Sequence, residues 1–135
     1  MELRRETRKV RTGLRLMDCD HAEMEERIAA IRAGLAGGVG HARSSLEIGE
    51  LTHFCHLHFA MEEALMLTTE YPLSSLHRLH HQRMAHEMRV ISAAFARNGT
   101  ALPSVTLGRL FNNHARHLLE DDSHFGGWLN RSVPD

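Results

Sequence analysis

Leu51-Thr52-His53-Phe54-Cys55-His56-Leu57-His58-Phe59-Ala60-Met61-Glu62-Glu63-Ala64-Leu65-Met66 is the stretch on which the fold turns. Leu51, Phe54, His58, Glu62 and Leu65 recur every three or four residues, the spacing that lines up one face of an α-helix. Two of these five positions carry an imidazole and a carboxylate. Burying either one without a partner is costly. The face that should build the core therefore also presents polar groups that need something to bind.

The pattern repeats on both sides of this stretch. Met17, His21, Met24, Ile28, Ile31 and Leu35 form one stripe, and His77, His81, Met84, Met88, Ile91 and Phe95 another. Leu107, Leu110, His114 and His117 form the last, with Leu118 and Asp121 beside it. Breaks stand at Gly37-Gly38-Val39-Gly40, Tyr71-Pro72, Asn98-Gly99 and Gly126-Gly127. Helices are predicted at 18–36, 41–68, 74–97 and 103–121, with room for a short one near 124–130. Asp18 or Asp20 and Ser74 or Ser75 are candidate N-caps, and Pro103 suits a first helical turn. No stretch alternates with period two. The expected fold is all-α, an antiparallel up-down four-helix bundle with short connections. One domain is expected over 1–135, with the bundle at 17–130 and a basic arm at 1–16 that carries about +4.

Composition narrows the function classes. The chain has 135 residues, with 16 Lys and Arg against 17 Asp and Glu, a net charge of −1. That balance offers no electrostatic argument for nucleic acid or a membrane surface. No apolar run approaches the roughly 18 residues needed to span a bilayer, and the charged start lacks a secretory pattern. A cytoplasmic location is expected. Two cysteines, Cys19 and Cys55, are too few for a disulfide scaffold and read as buried thiols.

Histidine is the unusual residue, at 12 of 135. His21, His58, His77, His81 and His117, with Glu62, fall on inward faces. Neutral imidazoles need donors and acceptors in matching numbers, which so many cannot supply to one another. A metal centre satisfies them together. His58-x-x-x-Glu62 and His77-x-x-x-His81 are i, i+4 pairs that aim two ligands from one helix at one place. Five imidazoles with carboxylates exceed a four-coordinate zinc site. Without thiolates they suit iron or manganese. His41 in its loop, His53, His56, His80, His86 and His124 read as surface or hydrogen-bonded side chains, while His114, one turn before His117, is open between such a side chain and an inward group that supports the ligands or lines a pocket.

Asp18-Cys19-Asp20-His21, His58-Phe59-Ala60-Met61-Glu62-Glu63 with Met66, Tyr71-Pro72, His77-x-x-x-His81 and His117-Leu118-Leu119-Glu120-Asp121-Asp122 follow in that order. In this order the motifs resemble hemerythrin, most of all the bacterial hemerythrins, across residues 13–129. The resemblance implies a non-haem di-iron site in a four-helix bundle. It implies that His77, His81 and His117 hold one iron and His21 and His58 the other. Glu62 and Asp122 would bridge them, with an oxo or hydroxo ion as third bridge. O2 would bind reversibly at the two-histidine iron and be held as hydroperoxide. NO and azide-like anions are further ligands of such a site. Helical periodicity alone does not select Asp122: five residues on from His117 is about 140° off the face, so the helix must widen or end there. Asp121, four residues on, is the competitor.

Two positions depart from the family. Asp20 stands where the family often has Gln, and Asn113 where it often has Trp. With Met24, Ile28, Phe59, Met84, His114, Leu118 and Leu119, Asn113 is expected to line the O2 pocket. A polar Asn there implies a wetter site and faster autoxidation. Function is therefore read as an O2 or redox sensor domain, or an O2 carrier or storage protein, rather than an enzyme. Met1 reads as a natural start, and the polar end at 131–135 leaves room for a downstream signalling output domain. The alternatives are a peroxide- or NO-handling enzyme and an iron-handling module. A ferritin-like oxidase needs two ExxH motifs, and only Glu50-Leu51-Thr52-His53 is present.

Overall fold

The computed structural model describes residues 15–38, 40–98 and 104–132, and the side chains of 15–38, 40–97 and 108–131. Residues 1–14 of the basic arm, Gly99 and Pro103 lie outside the described residues, and so does the side chain of Leu107. Four long helices run α1 Arg15–Ala36, α2 His41–Thr68, α3 Ser74–Asn98 and α4 Ser104–His117. A π-helical turn, Leu118–Asp122, joins α4 to a short α5, Ser123–Ser132. No strand occurs among the described residues. Short connections make successive helices antiparallel, and α1 packs on α2, α2 on α3 and α3 on α4. The fold is an all-α four-helix bundle with an added C-terminal helix.

The apolar stripes meet in two separate clusters. One joins Met24, Ile31, Leu51, Phe59, Met88, Ile91, Phe95 and Phe111 from all four helices. The other joins Met17, Met66, Tyr71, Phe125 and Leu129, with Trp128 packed against it. Phe125 is fully buried, so α5 caps this end of the bundle. Between the clusters lies a layer of buried polar residues: His21, His58, Glu62, His77, His81, His117 and Asp122.

Several local expectations change. Gly126 and Gly127 do not break the chain but lie within α5, because Phe125 and Leu129 on either side bury the same face. Asp18 and Asp20 lie inside α1, which begins at Arg15. Ser74 is the first residue of α3 rather than a flanking cap. His41 opens α2 instead of lying in a loop, and its Nε2 is 2.7 Å from the Phe95 carbonyl oxygen. Cys19 is exposed, while Cys55 is buried as expected. The Tyr71-Pro72 break is made by Glu70, whose φ of 58° reverses the chain after α2. The Tyr71 N–H then bonds back to the Met66 carbonyl at 3.0 Å, closing the helix end.

Candidate metal centre

Each long helix contributes to the polar layer at the height where its stripe changes from hydrocarbon to imidazole. α1 supplies His21, α2 supplies His58 and Glu62 one turn apart, and α3 supplies His77 and His81 one turn apart. α4 supplies His117 as its last residue, and Asp122 ends the π turn that follows. A π turn closes hydrogen bonds five residues apart rather than four. This widening brings Asp122 back beneath His117, with Oδ1 2.9 Å from His117 Nε2.

The donor atoms form two groups that share both carboxylates. Glu62, His77, His81, His117 and Asp122 each offer an atom within 4.8 Å of one another, and so do His21, His58, Glu62 and Asp122. One group has three imidazoles and the other two. Glu62 Oε1 lies 2.7 Å from His77 Nε2, and Glu62 Oε2 lies 2.7 Å from His58 Nε2. Asp122 Oδ1 lies 2.9 Å from His77 Nε2, and Oδ2 lies 3.0 Å from His21 Nε2.

The orientation of the rings tests whether a metal fits. His58 Nδ1 donates to Asp20 Oδ2 at 2.9 Å. His117 Nδ1 donates to Asp121 Oδ2 at 2.8 Å, and His80 Nδ1 donates to the same oxygen at 2.8 Å. His81 Nδ1 faces Glu63 Oε2 at 3.5 Å. A neutral imidazole that donates from Nδ1 presents a lone pair at Nε2. The Nε2 lone pairs of His58 and His117 therefore point inward, and His81 Nε2 stands 3.1 Å from His117 Nε2. His21 Nε2, His58 Nε2, Glu62 Oε2 and Asp122 Oδ1 are buried without an aligned hydrogen bond. Lone pairs facing lone pairs at such distances require either extra protons or cations between them.

Without a metal ion, protons would take that place. Burial works against a charged His21, but Asp122 and Glu62 beside it outweigh this and raise its pKa to about 9. The same balance raises His77 to about 9, and for His117 burial works against the charge while Asp122 and Asp121 outweigh it and raise the ring to about 10. Glu62 is pushed up by burial, yet four surrounding imidazoles hold it well below the carboxylate range. Asp122, raised by burial and by Glu62, is brought down by His117 and His21. A layer that gathers protons by bringing imidazoles and carboxylates together is one that divalent metal ions can discharge.

The outer carboxylates Asp20 and Asp121, which accept from ligand rings, and Glu63, which faces one, are residues that the sequence reading did not identify. Their signal was adjacency: each sits next to an inward residue, His21, Glu62 or Asp122. Carboxylates on the far nitrogen fix the tautomer and orientation of a ligand histidine. Asp121, the rival for Asp122, takes this outer role. Asp20 supplies an acceptor for His58.

The expected pocket divides. Met24, Phe59, Met84, His114 and Leu118 are buried and Ile28 is partly so. Phe59 stacks on His81, with ring centroids 4.2 Å apart at 14°. Asn113 lines an open polar groove that also includes Met84, His117 and Asp121, and its Oδ1 accepts from Arg116 at 3.4 Å. Leu119 is exposed. Neither belongs to the apolar wall, because the widened turn rotates Leu119 outward and Asn113 faces the α3–α4 edge. His53, His56, His86 and His124 are exposed, and Tyr71 Oη meets His124 Nδ1. No described helix is long and apolar enough to cross a membrane.

Comparison with known proteins agrees with this arrangement. The bacteriohemerythrin of Pseudomonas paraeruginosa (strain DSM 24068 / PA7) is 30 % identical to the chain over 138 aligned positions, covering 90 % of each. The bacteriohemerythrin of Pseudomonas aeruginosa (strain LESB58) is 30 % identical over the same share of both. No family model and no solved structure matches. With helix order, a shared pair of carboxylates and relatives that span nearly the whole chain in agreement, the protein belongs to the bacteriohemerythrin family and carries a hemerythrin-like metal-binding domain.

Proposed function

We propose that this chain binds O2 reversibly at a non-haem di-iron centre, as an O2 or redox sensor domain or an O2 carrier. His77, His81 and His117 would hold one iron and His21 and His58 the other, with Glu62 and Asp122 bridging. The observation that carries this reading is the His58–Glu62 approach. Nε2 and Oε2 stand 2.7 Å apart without hydrogen-bond alignment, while the opposite ring nitrogen is committed to Asp20. Imidazole and carboxylate donors without thiolate favour iron or manganese. The two-histidine side offers fewer protein donors than the three-histidine side, which leaves room there for an exogenous ligand. When bound, the iron pair would supply the electrons that O2 uptake requires.

The protein's own residues shape that chemistry. Asp20 and Asp121 hold the His58 and His117 rings in one tautomer. Phe59 stacks on His81, and Met24, Met84 and Leu118 are buried apolar groups within one turn of ligands; a dry site protects a reactive ligand from water. The whole chain, 1–135, is read as one domain. O2 is its principal partner, with NO and azide-like anions as further ligands, in a cytoplasmic setting and alongside any signalling output domain.

The test is the visible spectrum of anaerobically reduced, iron-loaded protein on adding O2. Reversible growth of a ligand-to-iron charge-transfer band, with two irons per chain, is expected. His77→Ala and His81→Ala should each lose iron; two irons retained in both variants would refute the ligand set. A binding protein shows no steady-state consumption of peroxide, whereas sustained turnover would favour the peroxide-handling alternative.

A further inference from the structure

Next to the metal centre, in the adjoining layer of the core, lies a small cavity of about 10 Å³. Ile28, Leu51, Cys55, Met84, Phe111 and His114 are in its wall. Three of these stand one helical turn from the ligands just proposed. Cys55 is three residues before His58, Met84 three after His81 and His114 three before His117. Space of this size admits about one water-sized group.

The wall is apolar with two exceptions. The Cys55 thiol is already committed, since its Sγ donates to Met24 Sδ at 3.4 Å. His114 is the other. It is 6 % exposed, and its Nε2 is buried with no hydrogen-bond partner. A buried polar atom left unpaired is costly, and a leucine in its place would not be. A group entering the cavity would supply that partner.

We propose that His114 Nε2–H donates a hydrogen bond to a small anionic ligand bound at the metal centre, making His114 a specificity-determining residue of the site. The proposal rests on the di-iron reading above. Among the apolar groups around it, His114 is the one able to distinguish a ligand that carries negative charge on its outer atom from one that does not. Burial, and then the charge of His117, push its pKa down to about 3. The ring is accordingly neutral, a single N–H donor that places no positive charge in the cavity when no ligand is present.

The experiment uses full-length, iron-loaded wild type, His114→Leu and His114→Gln, each with iron content measured. Azide is titrated into the oxidised protein, and the azide vibrations are recorded by resonance Raman in H2O and D2O. Wild type should show a deuterium-sensitive azide band. His114→Leu should lose the deuterium shift and bind azide about ten- to a hundredfold more weakly, the range for a hydrogen bond to a charged group. His114→Gln, which keeps an N–H, should recover part of both. A histidine that merely fills space would leave the deuterium shift unmoved on substitution. Equal affinity and an equal shift in wild type and His114→Leu, both with two irons, would overturn this inference and leave the di-iron reading standing. Wild type that holds two irons but binds neither azide nor O2 would remove the reading itself, and the inference with it. Should His114→Leu fail to fold, absence of a deuterium shift in wild type and His114→Gln suffices to reject the hydrogen bond.

Discussion

Asp121 and Asp122 are neighbours in one π turn, and Asn at each position tests whether the turn assigns their roles. Asp122 is 1 % exposed, with oxygens 2.9 Å from His77 and His117 and 3.0 Å from His21. It belongs to both donor groups. Asp122→Asn leaves one oxygen, so it takes the bridging carboxylate's second donor and its negative charge from the pair, and iron content should fall below two per chain. Asp121 reaches only the outer nitrogens of His117 and His80. Loss of such a supporting carboxylate typically weakens metal affinity by about 10–100-fold. Asp121→Asn should still hold two irons, but release them to a chelator sooner.

The metal-free proteins give an independent reading. At pH 6 the three imidazoles around Asp122 are charged, and breaking a buried ion cluster costs about 3–5 kcal/mol. For a chain of this length that is roughly 10–20 °C in Tm. The sign with pH follows from the raised pKa values. Stability contributed by His21, His77 and His117 is complete below their unfolded value of 6.5 and is lost as pH rises through about 9 to 10. The Tm gap between wild type and Asp122→Asn should thus narrow steadily from pH 6.5 to 10. Asp121 is partly exposed, so Asp121→Asn should cost only about 1 kcal/mol. Its carboxyl lies at about 2, held down first by His117. Its contribution is present above its usual 3.8 and is lost as pH falls through about 2. Metal analysis after dialysis, with thermal melts of the metal-free forms across pH, decides the matter. Two irons in Asp122→Asn together with fewer in Asp121→Asn would refute the role assigned to the π turn.

Loading iron(II) into metal-free protein at pH 7 should release up to about three protons per chain, from His21, His77 and His117, since ligand imidazoles must be neutral; at pH 10 weakly buffered titration should find far fewer. Glu70→Gly should raise Tm, because a non-glycine residue at φ 58° carries a strain of about 1 kcal/mol that glycine does not. Gly127→Ala should also stabilise, by about 0.4–1 kcal/mol. The added methyl meets only the mobile end of Arg131, at 3.3 Å, and a calorimetric melt with lowered Tm would contradict the helical setting of Gly127.

The bundle was legible because each helix keeps one stripe throughout its length, and glycine or proline marks the connections. The inward residues were legible for the same reason: His58 and Glu62 stand where Leu51 and Leu65 set the register. Asp122 was not visible to helical periodicity, since its angle makes sense only in a widened turn, and five residues such as Leu118–Asp122 carry no sequence mark of π geometry. Gly126-Gly127 misled for a related reason. Two glycines signal a break in isolation, but burial of Phe125 and Leu129 against the second core cluster holds them helical. Asn113 was placed in the pocket because the resembled family often has Trp there, and Leu119 was grouped with the residues expected to line it. Their true orientation depends on where α3 packs, which one helix cannot reveal.

The outer carboxylates show that one further rule was available. Successive residues on a helix point about 100° apart, so a residue beside an inward ligand faces an adjoining helix. Asp20 beside His21 reaches from α1 to His58 on α2, and Glu63 beside Glu62 reaches from α2 towards His81 on α3. Asp121 beside Asp122 accepts both His80 of α3 and His117 of α4. Each adjacent pair therefore places one residue in the metal layer and turns the other towards an imidazole of that layer. The same pairs join α1 to α2, α2 to α3 and α3 to the end of α4, so the contacts that orient the ligands also set the register of the bundle. A substitution at an outer carboxylate should consequently disturb metal affinity and helix packing together, whereas one at His114, in the cavity beyond the pairs, should alter ligand binding with the packing intact.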